Sequence, residues 1–267
     1  MSRLKAAVVQ MCSGLVVSEN LAEIEAQLIG YQQEQIYIIV LPECFAMLGG
    51  SQAEVALKAD DIREWMSSMA KKNGSWLIGG AVPIHDSRDG RNYASCLVYS
   101  PEGDEVACYN KMHLFDVDVS DSKGQYRESD DFIPGVRPEL VDIGRAEIGL
   151  SICYDLRFPE LYRCLMEQGA TVLTVPSAFT KVTGEVHWDV LLRARAIENQ
   201  CYVLAANQAG THPDGRQTYG HSMIVSPWGD VLAEAHTEGA VVIIAELDLD
   251  ELARVRQQMP CLNHRRL

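Results

Sequence analysis

The sequence predicts an α/β fold in which two mixed β-sheets pack face to face with helices outside. Three observations carry this. Short apolar runs rich in β-branched and aromatic residues alternate with helix-period segments along the whole chain. The order strand, helix, strand opens the chain and returns from residue 148, ending once in Leu-Pro-Glu and once in Val-Pro-Ser. Turn-forming segments at 87–90 and 227–229 add antiparallel pairing to these crossover units.

Taken in order, strands are expected over 5–11, 37–41, 76–82, 94–99 and 105–109, then 140–143, 148–153, 171–175, 202–206, 222–225 and 241–246. Their continuous hydrophobicity suits sheets covered on at least one face. After the first strand, Ser18 stands where it can cap a helix on which Leu21, Ile24, Leu28 and Tyr31 recur at helical spacing. Asp61 and Glu64 read as a capping-box variant before Trp65, Met66 and Met69, and Gly74 would end that second helix. Pro159 suits the first turn of a third, stopped at Gly169. A fourth is expected over 187–200, with Asp189 and Arg193 one turn apart. The stretch 120–135 is the longest irregular segment, polar and acidic, and long ordered loops are often functional. No linker or low-complexity tract interrupts the chain, so a single domain over 1–267 is expected.

Composition narrows the function. With 267 residues, 47% hydrophobic and 22% charged, the chain is neither collagen-like, disordered nor coiled coil. A net charge of −14 argues against nucleic-acid or anionic-membrane partners, which need a basic footprint. No apolar run approaches the ~18 residues of a membrane span. The apolar stretch in the opening residues is too short for a signal peptide, and strand-like residues continue it. The expectation is a cytoplasmic protein that meets a small molecule. The eight cysteines show no zinc-type pair spacing and are expected to be reduced, most of them filling the core.

Three charged or nucleophilic residues stand at the ends of apolar strands. Cys153 closes a strand and precedes Tyr154-Asp-Leu-Arg-Phe-Pro159, so it sits on a sharp turn before a helix. There peptide N–H groups favour a thiolate and can hold an oxyanion. Glu43 follows Ile39-Val-Leu-Pro42, and an apolar flank is expected to raise its pKa towards that of a general base. Lys111 follows Val106-Ala-Cys-Tyr-Asn. Any one of them alone could be structural. Together they occupy equivalent places, where open α/β sheets gather active sites, and they supply a base, a cation and a nucleophile. His113 and Asp116, close by, are expected to make structural hydrogen bonds. The remaining histidines show no paired-ligand spacing, so neither a metal nor an organic cofactor is expected.

The segments LPECF, YNKMHLFD and ICYDLRFPELYR resemble, in order and spacing, the three signature blocks of the nitrilase, or carbon–nitrogen hydrolase, superfamily. The resemblance covers nearly the whole chain. It implies a four-layer αββα sandwich, a triad of Glu43, Lys111 and Cys153, and a homodimer. Arg127-Glu128-Ser129 resembles the place where relatives carry a second catalytic glutamate, Glu128 here. The runs 176–203 and 219–229 resemble the Nit branch, which includes ω-amidases and amidases of deaminated glutathione, the latter being the nearer likeness. One departure is Gly184-Glu185-Val186-His187, where close relatives have Gly-Pro-Ala-His, and the extra carboxylate is expected at the far end of the pocket.

The chemistry so implied is hydrolysis of a linear amide through a thioester, releasing ammonia and an acid. The alternatives are an ω-amidase acting on α-ketoglutaramate-type substrates, carbamoyl-amide or nitrile hydrolysis on the same triad, and a binding protein that keeps the fold without turnover. For the substrate, Arg157 lies four residues after Cys153 and offers a fork for a carboxylate, unless Asp155 or Glu160 holds it in an ordinary ion pair. Tyr154, Phe179, Thr180 and His187 complete the expected binding set. The amine side is expected to reach towards 184–188, with Arg193 and Arg195 as alternative carboxylate anchors.

Overall fold

The structure, a computed structural model, describes residues 3–121, 123–236 and 238–266. The chain opens with β1 (Arg3–Gln10), α1 (Val17–Ile29), β2 (Ile38–Leu41), α2 (Gln52–Ala56) and α3 (Ala59–Asn73). β3 (Trp76–His85), β4 (Asn92–Tyr99) and β5 (Glu105–Asn110) follow as an antiparallel meander. A small ribbon, β6 (Asp116–Asp118) with β7 (Gln125–Arg127), then leads to β8 (Leu140–Asp142) and β9 (Glu147–Leu150). α4 (Pro159–Glu167), β10 (Val172–Thr174), α5 (Lys181–Asn199) and β11 (Tyr202–Ala205) come next. A second ribbon, β12 (Ala209–Thr211) with β13 (Gln217–Tyr219), precedes β14 (Met223–Val225) and β15 (Val231–Glu234). β16 (Val241–Asp248), α6 (Leu249–Gln258) and a short 3₁₀ turn (Cys261–His264) close the described fold.

Two six-stranded sheets result, in the orders β16-β1-β2-β3-β4-β5 and β15-β14-β11-β10-β9-β8. Each has a parallel heart, β1-β2-β3 in one and β9-β10-β11 in the other, with antiparallel flanks. The strand–helix–strand units expected at both places are therefore present. The alternation of side chains along a strand explains the layers. In the first sheet Ala6, Val8, Ile38 and Val40 join a core with Ile148 and Leu150 of the second sheet. Their neighbours Ala7, Val9, Ile39 and Leu41 pack instead with Leu21, Ile24 and Leu28 of α1 and Ile62 and Met66 of α3. On the far side, Gly149 lets α4 lie close on β9, since a Cβ there would come within 3.1 Å of Leu165. The architecture is the four-layer αββα sandwich.

Several local expectations are corrected. α1 starts at Val17, so Ser18 lies inside the helix and does not cap it. α3 starts at Ala59, two residues before the proposed capping pair. α5 begins at Lys181, six residues ahead of 187, because Val182, Val186 and Val190 face outward and hide the helical period of its first turns. The strand over 148–153 stops at Leu150, and Cys153 opens a 3₁₀ turn (Cys153–Arg157). The segment 120–135 is less irregular than expected: it holds β7 and a second 3₁₀ turn (Glu128–Asp130), with Ser122 outside the described residues. The turns at 87–90 and 227–229 do join β3 to β4 and β14 to β15. Among the described residues no helix is long and apolar enough to cross a membrane.

Candidate active site

The parallel strands of both sheets end on the same side, and there the chain gathers its ionisable groups. Glu43 lies two residues beyond β2, Lys111 directly follows β5, and Cys153 lies three residues beyond β9. β2 is wholly buried and β9 nearly so, whereas β5 is an edge strand tied to the core through Tyr109, and the chain leaving each of the three delivers its residue to the cavity. Lys111 donates from Nζ to Glu43 Oε1 at 2.8 Å and to both carboxylate oxygens of Glu128 at 2.9 Å. Its side chain is only 2% exposed. The N–H of Ala178 donates to Glu43 Oε2 at 2.8 Å, and that of Phe115 to Glu128 Oε2 at 2.6 Å.

The charges interlock. Burial would raise the Glu43 carboxyl, but Lys111, by charge and hydrogen bond, outweighs it together with bonds from Cys153 and Ala178, and Glu43 ends below its ordinary value. This corrects the expectation that an apolar flank would raise it. The glutamate that is raised is Glu128, first by burial and further by the charge of Glu43, despite Lys111. Burial and the neighbouring Glu43 also push the Cys153 thiol well up, so at rest it is a neutral thiol beside an ionised carboxylate.

Cys153 has φ of +45°, a left-handed conformation that a residue with a Cβ rarely adopts. The turn is over-determined by its neighbours. The N–H of Cys153 donates to Pro176 O at 2.8 Å. Asp155, wholly buried, accepts from the Ile152 N–H at 2.9 Å, Tyr109 Oη at 2.8 Å and His113 Nδ1 at 2.7 Å. Arg195 clamps Leu156 O through Nε and Nη2 at 3.1 and 2.8 Å. Among the described residues no protein acceptor takes the N–H of Tyr154, the residue after the sulfur.

A cavity of about 360 Å³ opens over this group. Glu43, Lys111, Glu128 and Cys153 line it, as do Tyr154, Arg157, Phe179 and Thr180 of the expected binding set. Arg157 is held by neither Asp155 nor Glu160. Its guanidinium lies 5.0 Å from the Phe179 ring and 5.9 Å from the Tyr154 ring, with Nη1 3.3 Å from His187 Nδ1. His187 itself is exposed and outside the cavity wall, so it touches the site only through Arg157. Glu185 is likewise exposed and does not line the pocket, against expectation, and Gly184 packs on Tyr219. Arg193 and Arg195 also lie off the cavity: Arg193 binds Gly229 O, and Arg195 serves the turn. His113 and Asp116 make structural bonds, His113 to Asp155 and Asp116 from the Ser129 N–H.

Cys44, three residues beyond β2 and with φ of +57°, also lines the cavity beside Glu43. Burial, and then the charge of Glu43, push the Cys44 thiol up to about 12. Sequence reasoning did not single out Asp155 as a brace, Ala178 as a donor, or Arg216 and Lys123 on the cavity wall. Among the described residues one trio of potential metal ligands comes together, His221, Glu234 and His236, with His221 Nδ1 2.7 Å from Glu234 Oε1. It is made by pairing β14 with β15, which linear spacing does not display, and it lies away from the cavity.

A family model described as carbon-nitrogen hydrolase matches residues 5–257. A deaminated glutathione amidase of Yersinia enterocolitica is 39% identical, over 100% of this chain and 94% of the relative. The omega-amidase NIT2 of Xenopus tropicalis is 38% identical, over 100% and 96%. Among solved structures, the C. elegans NitFhit protein superposes with a TM-score of 0.92 at 38% identity, covering all of this chain and 66% of that longer one.

Proposed function

The chain belongs to the carbon–nitrogen hydrolase family, and from that premise we propose that it cleaves linear amides through Cys153, with deaminated glutathione as the substrate and its acyl carboxylate held by Arg157. The observation that carries the reading is the convergence of Glu43, Lys111, Glu128 and Cys153 from separate strand ends on one cavity whose wall also carries Arg157, bonded to His187 and to no carboxylate among the described residues. As a family member it is a hydrolase of carbon–nitrogen bonds.

Chemistry follows from the charges. A depressed Glu43 is a poor acceptor for a raised Cys153 thiol, so the proton does not move in the free enzyme. It moves when the sulfur attacks the amide carbon and the negative charge passes to the carbonyl oxygen. Lys111 Nζ and the free N–H of Tyr154 receive that oxyanion. The new carbon–sulfur bond is then balanced by cleavage of the carbon–nitrogen bond, and the thiol proton leaves from Glu43 on the amine. Water next attacks the thioester. Glu43 takes its proton, Glu128 orients it, and the acid departs as the thiol is restored. From a primary amide the amine is ammonia, and from deaminated glutathione it is a dipeptide.

The whole chain, 1–267, is proposed to act as one such domain, in the cytoplasm, as a homodimer. In support, all eight cysteines are unpaired, as a reducing compartment favours. For pairing, α5 turns Val182, Val186 and Val190 outward at four-residue spacing, 43%, 66% and 63% exposed. An amide panel tests the function. Deaminated glutathione, α-ketoglutaramate, a carbamoyl amide and a nitrile are followed by product release, with mass spectrometry of the trapped acyl-enzyme. The expected result is turnover of the acid-bearing amides and an adduct on Cys153. An adduct on Cys44, or nitrile turnover alone, would refute it.

A further inference from the structure

Resting on that reading, we infer that the same cavity has a second anion subsite at its rim, built on Arg216 with Lys123, which selects amides whose amine half ends in a carboxylate. Arg157 accounts for one carboxylate near the nucleophile. The cavity wall carries further cations, and they are differently placed. Arg127 is engaged with Asp118 and with the carbonyls of Val117 and Tyr126. Arg216 and Lys123 share a single carboxylate, Asp214, at 3.9 and 3.6 Å, beyond hydrogen-bond reach for each. The nearby Asp121 is taken up instead by the Tyr126 hydroxyl and by the N–H groups of Lys123 and Gly124.

Arg216 also has an unmet demand. Its Nε is buried and meets no acceptor among the described residues. A buried charged donor without an acceptor is costly, and an incoming carboxylate is the group that relieves it. The guanidinium is oriented by the Tyr126 ring, 5.2 Å from its centroid. Tyr126 lies 5.1 Å from Phe115, Phe115 lies 5.1 Å from Tyr154, and the Arg157 guanidinium lies 5.9 Å from the Tyr154 ring. A wall of three aromatic rings thus has a guanidinium at each end. An acyl carboxylate at Arg157 and an amine-side carboxylate at Arg216 would place the connecting amide chain along this wall, past Cys153. A primary ω-amide has no amine-side group to offer Arg216, so the subsite separates peptide-like amides from simple ones.

The test uses the full-length enzyme and two matched substrates, deaminated glutathione and the same molecule with its terminal carboxylate converted to a carboxamide, with α-ketoglutaramate alongside. Wild type should prefer the free acid, and the preference should reside in KM. In Arg216→Gln the ratio of the two KM values should collapse by roughly tenfold or more, the size of a lost charge-assisted hydrogen bond. Arg216→Lys should restore part of it, which a purely structural role would not produce. Equal losses on acid and carboxamide, or a wild type indifferent to the terminal charge while hydrolysing both, would overturn the subsite and leave the hydrolase reading standing. A wild type that hydrolyses none of the three overturns both.

Discussion

Lys111→Met is the most informative single change, because one buried ammonium neutralises two buried carboxylates. In the wild type, Lys111 is raised well above its ordinary 10.5 through the charges of Glu128 and Glu43, although burial opposes this. Its stabilisation is therefore fully present below that value and lost only as pH rises through the raised one. Glu43 is depressed, so its stabilisation is present above its ordinary 4.5 and lost as pH falls through the lowered one. The cluster is held between those limits. Methionine fills the space of the lysine stem but leaves Glu128 with the Phe115 N–H, and Glu43 with the Ala178 N–H and the Cys153 thiol. Breaking a buried pair from one side costs about 3–5 kcal/mol. The carboxylates can escape that cost by binding protons, so Glu128, already raised, should rise further and Glu43 should now lie above its ordinary 4.5, where its sign reverses. The variant should be nearest to wild type at pH 4.5 and should lose ground as pH rises to 8. Urea unfolding at several pH values measures this, and adding Glu128→Gln should recover part of the loss. Turnover should fall by roughly 10²–10³, the worth of one oxyanion donor. A destabilisation that is the same at pH 5 and pH 8 would refute the charge accounting.

Two further outcomes are expected. Arg157→Lys should raise KM by about tenfold for an amide with an acyl carboxylate and much less for a neutral short amide, because a point charge replaces a two-pronged donor; equal loss on both in steady-state kinetics would make Arg157 structural. Gly135→Ala should destabilise the protein by roughly 1–3 kcal/mol or more, because its Cβ would lie 2.0 Å from Asn110 O. The same change should lower turnover, since Gly135 N–H also binds Lys111 O at 2.8 Å and holds the strand end that carries the lysine. A variant that melts within about one degree of wild type would show that the strand end yields freely.

The sequence alone determined the sandwich and three of the four converging residues. Both are local facts. An apolar run such as 38–41 is drawn into the core, and a charge just past a strand end, as at Glu43 or Lys111, must leave the core or find a partner. Glu128 was legible only through its resemblance to a family position, since nothing in Arg127-Glu128-Ser129 distinguishes a buried glutamate from a solvated one. What tertiary structure decided is which groups meet. Ala178 binds Glu43 across 135 residues, and Tyr109 binds Asp155 across 46. Asp155 looked like a partner for Arg157 because they are two residues apart, yet a 3₁₀ turn sends one inward and leaves the other on the cavity wall. The direction of the Glu43 shift was misjudged for the same reason. An apolar flank is visible in sequence, whereas the ammonium that outweighs it arrives from another strand. Hydrophobic patterning is additive along the chain and survives being read in one dimension. Hydrogen bonds and Coulomb energies depend on distances of a few ångströms, and only the folded chain sets those.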